Sequence, residues 1–412
     1  MKRSPYLVLL IMLTFFVISF LTNVMGPLIP DIITGFSLSL TLVALLPFAF
    51  FIAYGVMSIP SGMMNLIYKE KKMMIGAFIT AFFGSLLLAL FPNYLSAVFS
   101  LFLIGCGMAI LQVVINPLLR TSGGEENYAF YSVLAQLIFG FASFVSPLAY
   151  SQLVLEMNLE GNQQRFLGFL YLLVPPELPW ISLYFLFTVI CLLMIVILLV
   201  SKFPNVKLNR EEQAGALATH IKLFKNKYVV LFFISMICYV GAEQGIANWI
   251  SQFLSTYHQI DPQTIGAQTV AYFWGLMTAG GILGLILLKF LDSKIVLISF
   301  TMLSIICLIA ALNGSSETAI IAFPLVGFFL SVMYPIIFSL ALNSVDQDHG
   351  SFSGILVTGI IGGAIMPLIT GWLGDLIGLR LGMCFLFLPL GFILSIGFWA
   401  KPLIKNKTIF DT

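Results

Sequence analysis

This chain reads from end to end as long apolar runs divided by short charged or Pro/Gly-rich breaks, and that pattern limits its fold more than any other feature. The runs give twelve candidate spans, roughly 6–29, 41–66, 73–91, 94–119, 128–154, 181–201, 229–257, 266–288, 295–312, 317–343, 351–377 and 380–400. Each is near the ~20 residues an α-helix needs to cross a bilayer core. Backbone polar groups find no water there, so spanning segments are helices or closed barrels. Barrel strands alternate in polarity over about ten residues, whereas these runs are continuously apolar, so the expectation is an all-α integral membrane protein of twelve transmembrane helices.

Composition supports this. Charged residues make up 9% of the 412, against about 25% in a soluble domain. A cytosolic enzyme, a secreted disulfide scaffold and a disordered tail are excluded, and a net charge of +2 gives no reason to expect a nucleic-acid partner. Cys106, Cys191, Cys238, Cys307 and Cys384 all fall in apolar segments without metal-site or redox spacing, so they read as reduced, buried small hydrophobes. Met1-Lys2-Arg3 before an apolar run resembles a signal sequence. The run continues to about Ile29 with no small-residue cleavage site, which makes it a retained first span.

With both termini cytoplasmic, all of the 19 basic residues except Arg165 and Arg380 fall in inside segments, which sets the expected topology. The longest polar stretch, 202–228, lies near the midpoint and reads as a basic cytoplasmic linker between six-helix halves at 1–201 and 229–412. The other long loop, about 155–180, is placed outside, where it is a solvated loop or a partial lid. An internal repeat supports two halves. At an offset of 220, Tyr54-Gly55-Val56-Met57-Ser58 falls on Trp274-Gly275-Leu276-Met277-Thr278, Pro147-Leu148 on Pro367-Leu368, and Asn23 on Glu243. Parallel six-helix repeats about an axis along the membrane normal are the signature of the major facilitator fold, with two pseudo-symmetric halves.

Polar side chains are costly in hydrocarbon, so those at mid-span are the functional candidates. They are Thr22 and Asn23 in span 1, Gln112 and Asn116 on one face of span 4, Gln136 in span 5, and Glu243, Gln244, Asn248 and Gln252 in span 7, with Trp274 and Tyr334 in spans 8 and 10. Any single amide is as well explained as interhelical glue. Gln244, Asn248 and Gln252 recur at four-residue spacing, and Trp249 and Trp274 add aromatic faces. Amides with aromatic faces suit a neutral, polyhydroxylated ligand. No Lys or Arg lies at mid-span, which disfavours anionic substrates. Glu243 is the one carboxylate well inside a span; Asp31, Asp292 and Asp375 lie near predicted ends. Such a group is held neutral by desolvation or paired with a cation, so it can carry a proton, help bind sodium, accept a sugar hydroxyl, or bond a neighbouring helix. His220, His258 and His349 sit in or beside loops, so no metal site is expected apart from sodium near Glu243. There is no phosphate-binding loop and no catalytic constellation, so neither a bound cofactor nor enzyme activity is expected. Glycines such as Gly105 and Gly280 read as close helix contacts.

At Gln112-Val-Val-Ile-Asn116-Pro117, Leu134-Ala135-Gln136, Tyr239-Val240-Gly241-Ala242-Glu243, Tyr334-Pro335-Ile336-Ile337-Phe338 and Gly362-Gly363-Ala364-Ile365-Met366-Pro367, the sequence resembles the fucose, galactose and glucose symporter family of the major facilitator superfamily. The resemblance covers nearly the whole chain and implies import of a neutral monosaccharide by alternating access, coupled to protons or sodium. Proton-driven fucose permeases carry acids on spans 1 and 4; Gly26 and Gln112 stand at the matching positions here, while Glu243 matches a glutamate of many relatives. The expected protein is therefore a monomeric sugar symporter of the inner (plasma) membrane, with Asn23, Gln112, Asn116, Gln136, Gln244, Asn248, Trp274 and Tyr334 as substrate-binding candidates and Glu243 for ion coupling. The alternatives are an uncoupled sugar facilitator, an exporter of small apolar compounds, or a non-transporting sensor or membrane enzyme.

Overall fold

The computed structural model describes residues 5–123, 128–158, 172–203, 217–345 and 348–403. Twelve helices are long and apolar enough to cross a membrane: Pro5–Phe36, Leu40–Asn65, Ile67–Leu90, Tyr94–Leu119, Phe130–Met157, Pro179–Val200, Lys227–Ala247, Pro262–Leu287, Ser293–Asn313, Ser316–Leu342, Gly350–Ile377 and Leu379–Trp399, numbered as spans 1 to 12. Span 1 runs on to Phe36, well beyond the expected end at 29. Residues 204–216 of the 202–228 stretch and 159–171 of the 155–180 loop lie outside the described residues; a short helix, Leu217–Leu223, leads into span 7.

An even number of crossings returns the chain to the face on which it starts, here termed the terminal face; the other is the distal face. Two lysines at the terminal face cap helix ends whose last carbonyls have no partner in their own helix. Lys71, at the start of span 3, donates to the carbonyls of Leu199 and Ser201 at 2.9 and 2.8 Å, closing the end of span 6. Lys294, at the start of span 9, donates to Ala400 at 3.0 Å and closes span 12. Third-to-sixth and ninth-to-twelfth helix contacts are equivalent in the two halves, so the repeat extends to capping.

Span 2 packs against span 11, and span 5 against span 8. A Cβ on Gly363 would lie 2.9 Å from the Phe51 ring, and one on Gly275 2.9 Å from the Phe144 ring. Spans 1, 7, 10 and 12 are interrupted, span 12 between Cys384 and Phe387, and span 11 passes through a 3-10 turn at Gly359–Ile361. Span 1 breaks between Thr22 and Met25, span 7 between Ala247 and Ile250, and span 10 between Leu330 and Met333. Proline lacks an N–H and its ring collides with the carbonyl four residues earlier. Pro27 thereby releases the carbonyl of Asn23, and Pro335 that of Ser331, which are the residues where the breaks begin. Span 7 has no such proline. Its turn is anchored by the Trp249 indole, which donates to the carbonyl of Pro367 at 3.2 Å. The breaks are nonetheless alike: Val24 has φ −94° and ψ −9°, and Trp249 has φ −99° and ψ −6°. In the first helices the structural mate of Asn23 is therefore Asn248, at an offset of 225, not Glu243 at 220.

Candidate functional site

The breaks in spans 1 and 7 meet where the two halves touch. Gly26 faces the carbonyl of Ala247 so closely that a Cβ would stand 2.4 Å from the oxygen and 3.3 Å from Val270 of span 8. Only glycine fits that junction. Asn23, Gln244 and Trp274 each lie about one helical turn from it towards the terminal face, and Asn248 adjoins it. The sequence candidates on spans 1, 7 and 8 are thus brought to one depth beneath a closed contact.

In span 7, the Tyr239 hydroxyl donates to Glu243 Oε2 at 2.5 Å and the Gln244 amide to Oε1 at 3.1 Å. The Tyr334 ring lies edge-on to Tyr239 at 5.8 Å and stacks on Phe338 at 5.9 Å, so span 10 walls the carboxylate with aromatic surface. In span 1, the Asn23 amide donates to Ser143 Oγ at 2.9 Å, and Ser19 Oγ lies 2.6 Å from Ser143 Oγ. This serine–amide cluster fastens span 1 to span 5, which is the glue role for the Asn23 nitrogen. Its oxygen is different.

Asn23 Oδ1, Gln112 Oε1, Asn248 Nδ2 and Trp274 Nε1 are all buried without a hydrogen-bond partner. A buried polar atom left unpaired costs ~1–3 kcal/mol. Such atoms also occur elsewhere among the described residues, Gln252 Oε1 and Trp180 Nε1 among them, but these four fall on residues that the sequence names as substrate-binding candidates. The set offers two acceptors and two donors, which matches the dual hydrogen-bonding character of hydroxyl groups.

Asn116 is exposed near the terminal end of span 4, donating to the carbonyl of Gln112 at 3.0 Å, and Gln136 is exposed near the terminal end of span 5. The amide stripe of span 7 is divided by the turn. Gln244 precedes the turn, Asn248 lies in it, and Gln252 lies beyond, donating to Thr256 of its own helix at 3.0 Å. Trp249 serves the turn as an anchor. Tyr239 and Ser143 were missed as site residues; the four-residue spacing of Tyr239 and Glu243 was a usable signal, whereas nothing in sequence linked Ser143 to Asn23. None of the five cysteines is paired; Cys307 and Cys384 are only half-buried.

The Major Facilitator Superfamily model matches residues 11–258 and 232–408. The chain is 31% identical over 384 residues to a glucose/galactose transporter of Brucella abortus (strain 2308), covering 90% of this chain and 88% of that one. It is 30% identical to a putative glucose/galactose transporter of Helicobacter pylori (strain ATCC 700392 / 26695), over 88% of each. It is 26% identical to the L-fucose-proton symporter of Escherichia coli (strain K12), over 88% and 86%. Among solved structures, a bacterial homologue of the human lysosomal transporter Spinster, inward-facing and occupied, superposes with a TM-score of 0.80 at 15% identity, over 97% of both chains. The E. coli fucose:proton symporter (N162A) superposes at 0.68 and 21% identity, over 97% and 100%. With twelve membrane-crossing helices in two packed halves and a family match along nearly its whole length, this chain belongs to the Major Facilitator Superfamily.

Proposed function

We propose that the protein is a secondary transporter that imports a neutral monosaccharide, a hexose or deoxyhexose, by alternating access across the inner (plasma) membrane, with both termini in the cytoplasm. The observation that carries this reading is the set of unpartnered polar atoms on Asn23, Asn248 and Trp274 at the junction of the halves, with a further one on Gln112 of span 4, and no Lys or Arg at mid-span. Hydroxyls of a neutral sugar satisfy both donors and acceptors there, and its C–H face packs on indole or phenol rings. The sugar-transporting relatives support the same substrate class. Counterflow of labelled hexoses and deoxyhexoses in proteoliposomes tests it, with a neutral sugar expected to outcompete its phosphorylated or carboxylated form. Impermeant labelling of single cysteines tests sidedness: positions in 202–228 should react only from the cytoplasm.

Glu243 is the proposed coupling group, taking up a proton or sodium. A second reading, an uncoupled facilitator, draws on one specific observation. Both carboxylate oxygens already accept from residues of the same helix, Tyr239 and Gln244, an arrangement that a purely structural glutamic acid also satisfies.

A further inference from the structure

At the distal face the two halves are tied by carboxylates from opposite sides. Asp31, from span 1, accepts from the Tyr150 hydroxyl of its own half and from the Gln263 amide at the start of span 8, whose nitrogen lies 3.1 and 3.2 Å from the two carboxylate oxygens. Ser151 Oγ donates to the Gln263 carbonyl at 2.5 Å, so both ends of that residue are held by the other half. Asp375, from the end of span 11, accepts from the backbone N–H groups of Leu40 and Thr41 at 3.0 and 2.8 Å and from the Thr41 hydroxyl at 2.5 Å. It thereby caps the first turn of span 2 across the interface, where free N–H groups and the helix dipole favour an anion.

These ties share a plan. Thr41 and Gln263 both sit at the start of the second helix of their half, and each is gripped by the opposite half at the end of span 11 or of spans 1 and 5. Each donor is neutral: a side-chain amide, a hydroxyl or a backbone N–H. Water can replace such donors when the halves separate, which a buried ion pair would resist far more strongly. The polar ties described at the terminal face have a different character: Tyr6 to Ser201, Lys71 to Ser201, Lys294 to Ala400 and Leu403 to Asn343 each stay within one half.

We propose that Asp31 and Asp375 form a two-point latch that holds the distal face shut and must release for that face to open. They act as positioning residues, setting the populations of the two states without touching substrate. The idea rests on the alternating-access reading above, but it does not depend on which solute is carried. Loss of a hydrogen-bonded carboxylate that favours one state shifts a two-state equilibrium by on the order of tenfold.

The test uses the full chain with its five cysteines replaced and one reporter, Val270→Cys, placed beside Gly26 just under the latch. Labelling by an impermeant maleimide from the distal side reads how often that face opens. Asp31→Ala and Asp375→Ala should each raise the rate about tenfold, and together further. The exchange Asp31→Asn with Gln263→Glu, which restores a carboxylate–amide pair with its polarity reversed, should return the rate towards that of the parent. Unchanged labelling in the single and combined variants overturns the latch. Because labelling needs no substrate, its result is separate from the fate of the sugar assignment. A second arm guards against misfolded alanine variants: in Thr41→Cys/Asp375→Cys, oxidation should stop solute exchange and reduction restore it. Undiminished exchange through fully cross-linked protein would also overturn the proposal.

Discussion

The broken helices of spans 1 and 7 have nearly the same backbone and opposite chemistry. Val24 and Trp249 share their dihedral angles to within a few degrees, and the flanking Asn23 and Asn248 are both buried. Span 1 breaks because Pro27 removes a hydrogen bond, and its polar groups are an amide and serines that bind span 5. Span 7 breaks around a tryptophan anchored to span 11, and one turn below the break it carries a carboxylate. The fold repeats while the ionisable group does not. If ion coupling runs through the breaks of these two helices, as proposed, it belongs to the C-terminal half, since the carboxylate of span 1, Asp31, lies beyond the break at the distal face. Gly26 makes that asymmetry steric. At the position where the fucose permeases are expected to bring an acid, the Ala247 carbonyl occupies the space a side chain would need.

The largest expected effect comes from Glu243→Gln, which keeps shape and hydrogen bonding but removes ionisation. If coupling resides in span 7, gradient-driven accumulation should fall to equilibration while sugar exchange persists, since exchange need not cycle the ion. Accumulation measured under separate proton and sodium gradients identifies which one the variant has lost. Full accumulation would dissolve the contrast between the halves and favour the facilitator reading. Next in size is Gly26→Ala. Its Cβ meets a backbone oxygen, which cannot swing aside, so the cost should reach ~1–3 kcal/mol of overpacking in the distal-closed state. The expected outcome is a lower melting temperature and at least tenfold slower exchange. Normal values would mean that spans 1 and 7 do not approach this closely.

Much of this arrangement was legible before any coordinates. Twelve apolar runs place most span ends within a few residues; span 3 starts at Ile67 rather than 73, the 229–257 run is divided after Ala247, and span 1 passes Ile29 because Pro30 sits inside a continuing helix and the half-buried Asp31 is held at the latch. The membrane makes this possible, since solvent enforces one simple pattern on every span. Three breaks have a proline four residues beyond their first residue, Pro27, Pro335 and Pro389, yet Pro47, Pro147 and Pro367 lie in helices that continue through them. Proline alone does not decide. The break at Asn248 depends on where Trp249 finds an acceptor, a tertiary fact. The stripe of three amides is interrupted by that turn, whereas periodicity counts residues along an unbroken helix. Asp31 and Asp375 stood out only as acids near span ends, and what they hold in the opposite half lies more than two hundred residues away.

Asn248→Ala should weaken sugar binding by ~1–3 kcal/mol, through loss of a donor that excluded water cannot replace. Asn23→Ala should combine two effects. It removes the free acceptor at Oδ1 and also the bond to Ser143, so it should lower both affinity and thermal stability. Titration calorimetry alongside melting curves separates them. An affinity loss at Asn248 without a stability loss, set against both at Asn23, is what a recognition role in one half and a shared role in the other require. Loss of stability alone at both positions would reduce the two amides to helix glue.

The smallest effect is expected from Trp249→Phe, and it bears most directly on why span 7 breaks. Phenylalanine keeps most of the buried aromatic area but cannot donate to the Pro367 carbonyl. A neutral hydrogen bond of this kind contributes about 0.5–1.5 kcal/mol net, and the carbonyl left behind is itself buried in helix packing. If the indole anchor sets the turn, the variant should let span 7 straighten through Asn248, which would rotate Gln252 onto the same face as Gln244. A cysteine at Gln252 would then change its reactivity towards aqueous maleimide, while the parent turn keeps it at its original rate. Pro27→Ala is the matching change in span 1, removing a steric cause where Trp249→Phe removes an attractive one. A stability change in the tryptophan variant with no change at Gln252 would mean that the turn in span 7 is intrinsic to its backbone. The likeness of the two breaks would then owe nothing to the anchor on span 11.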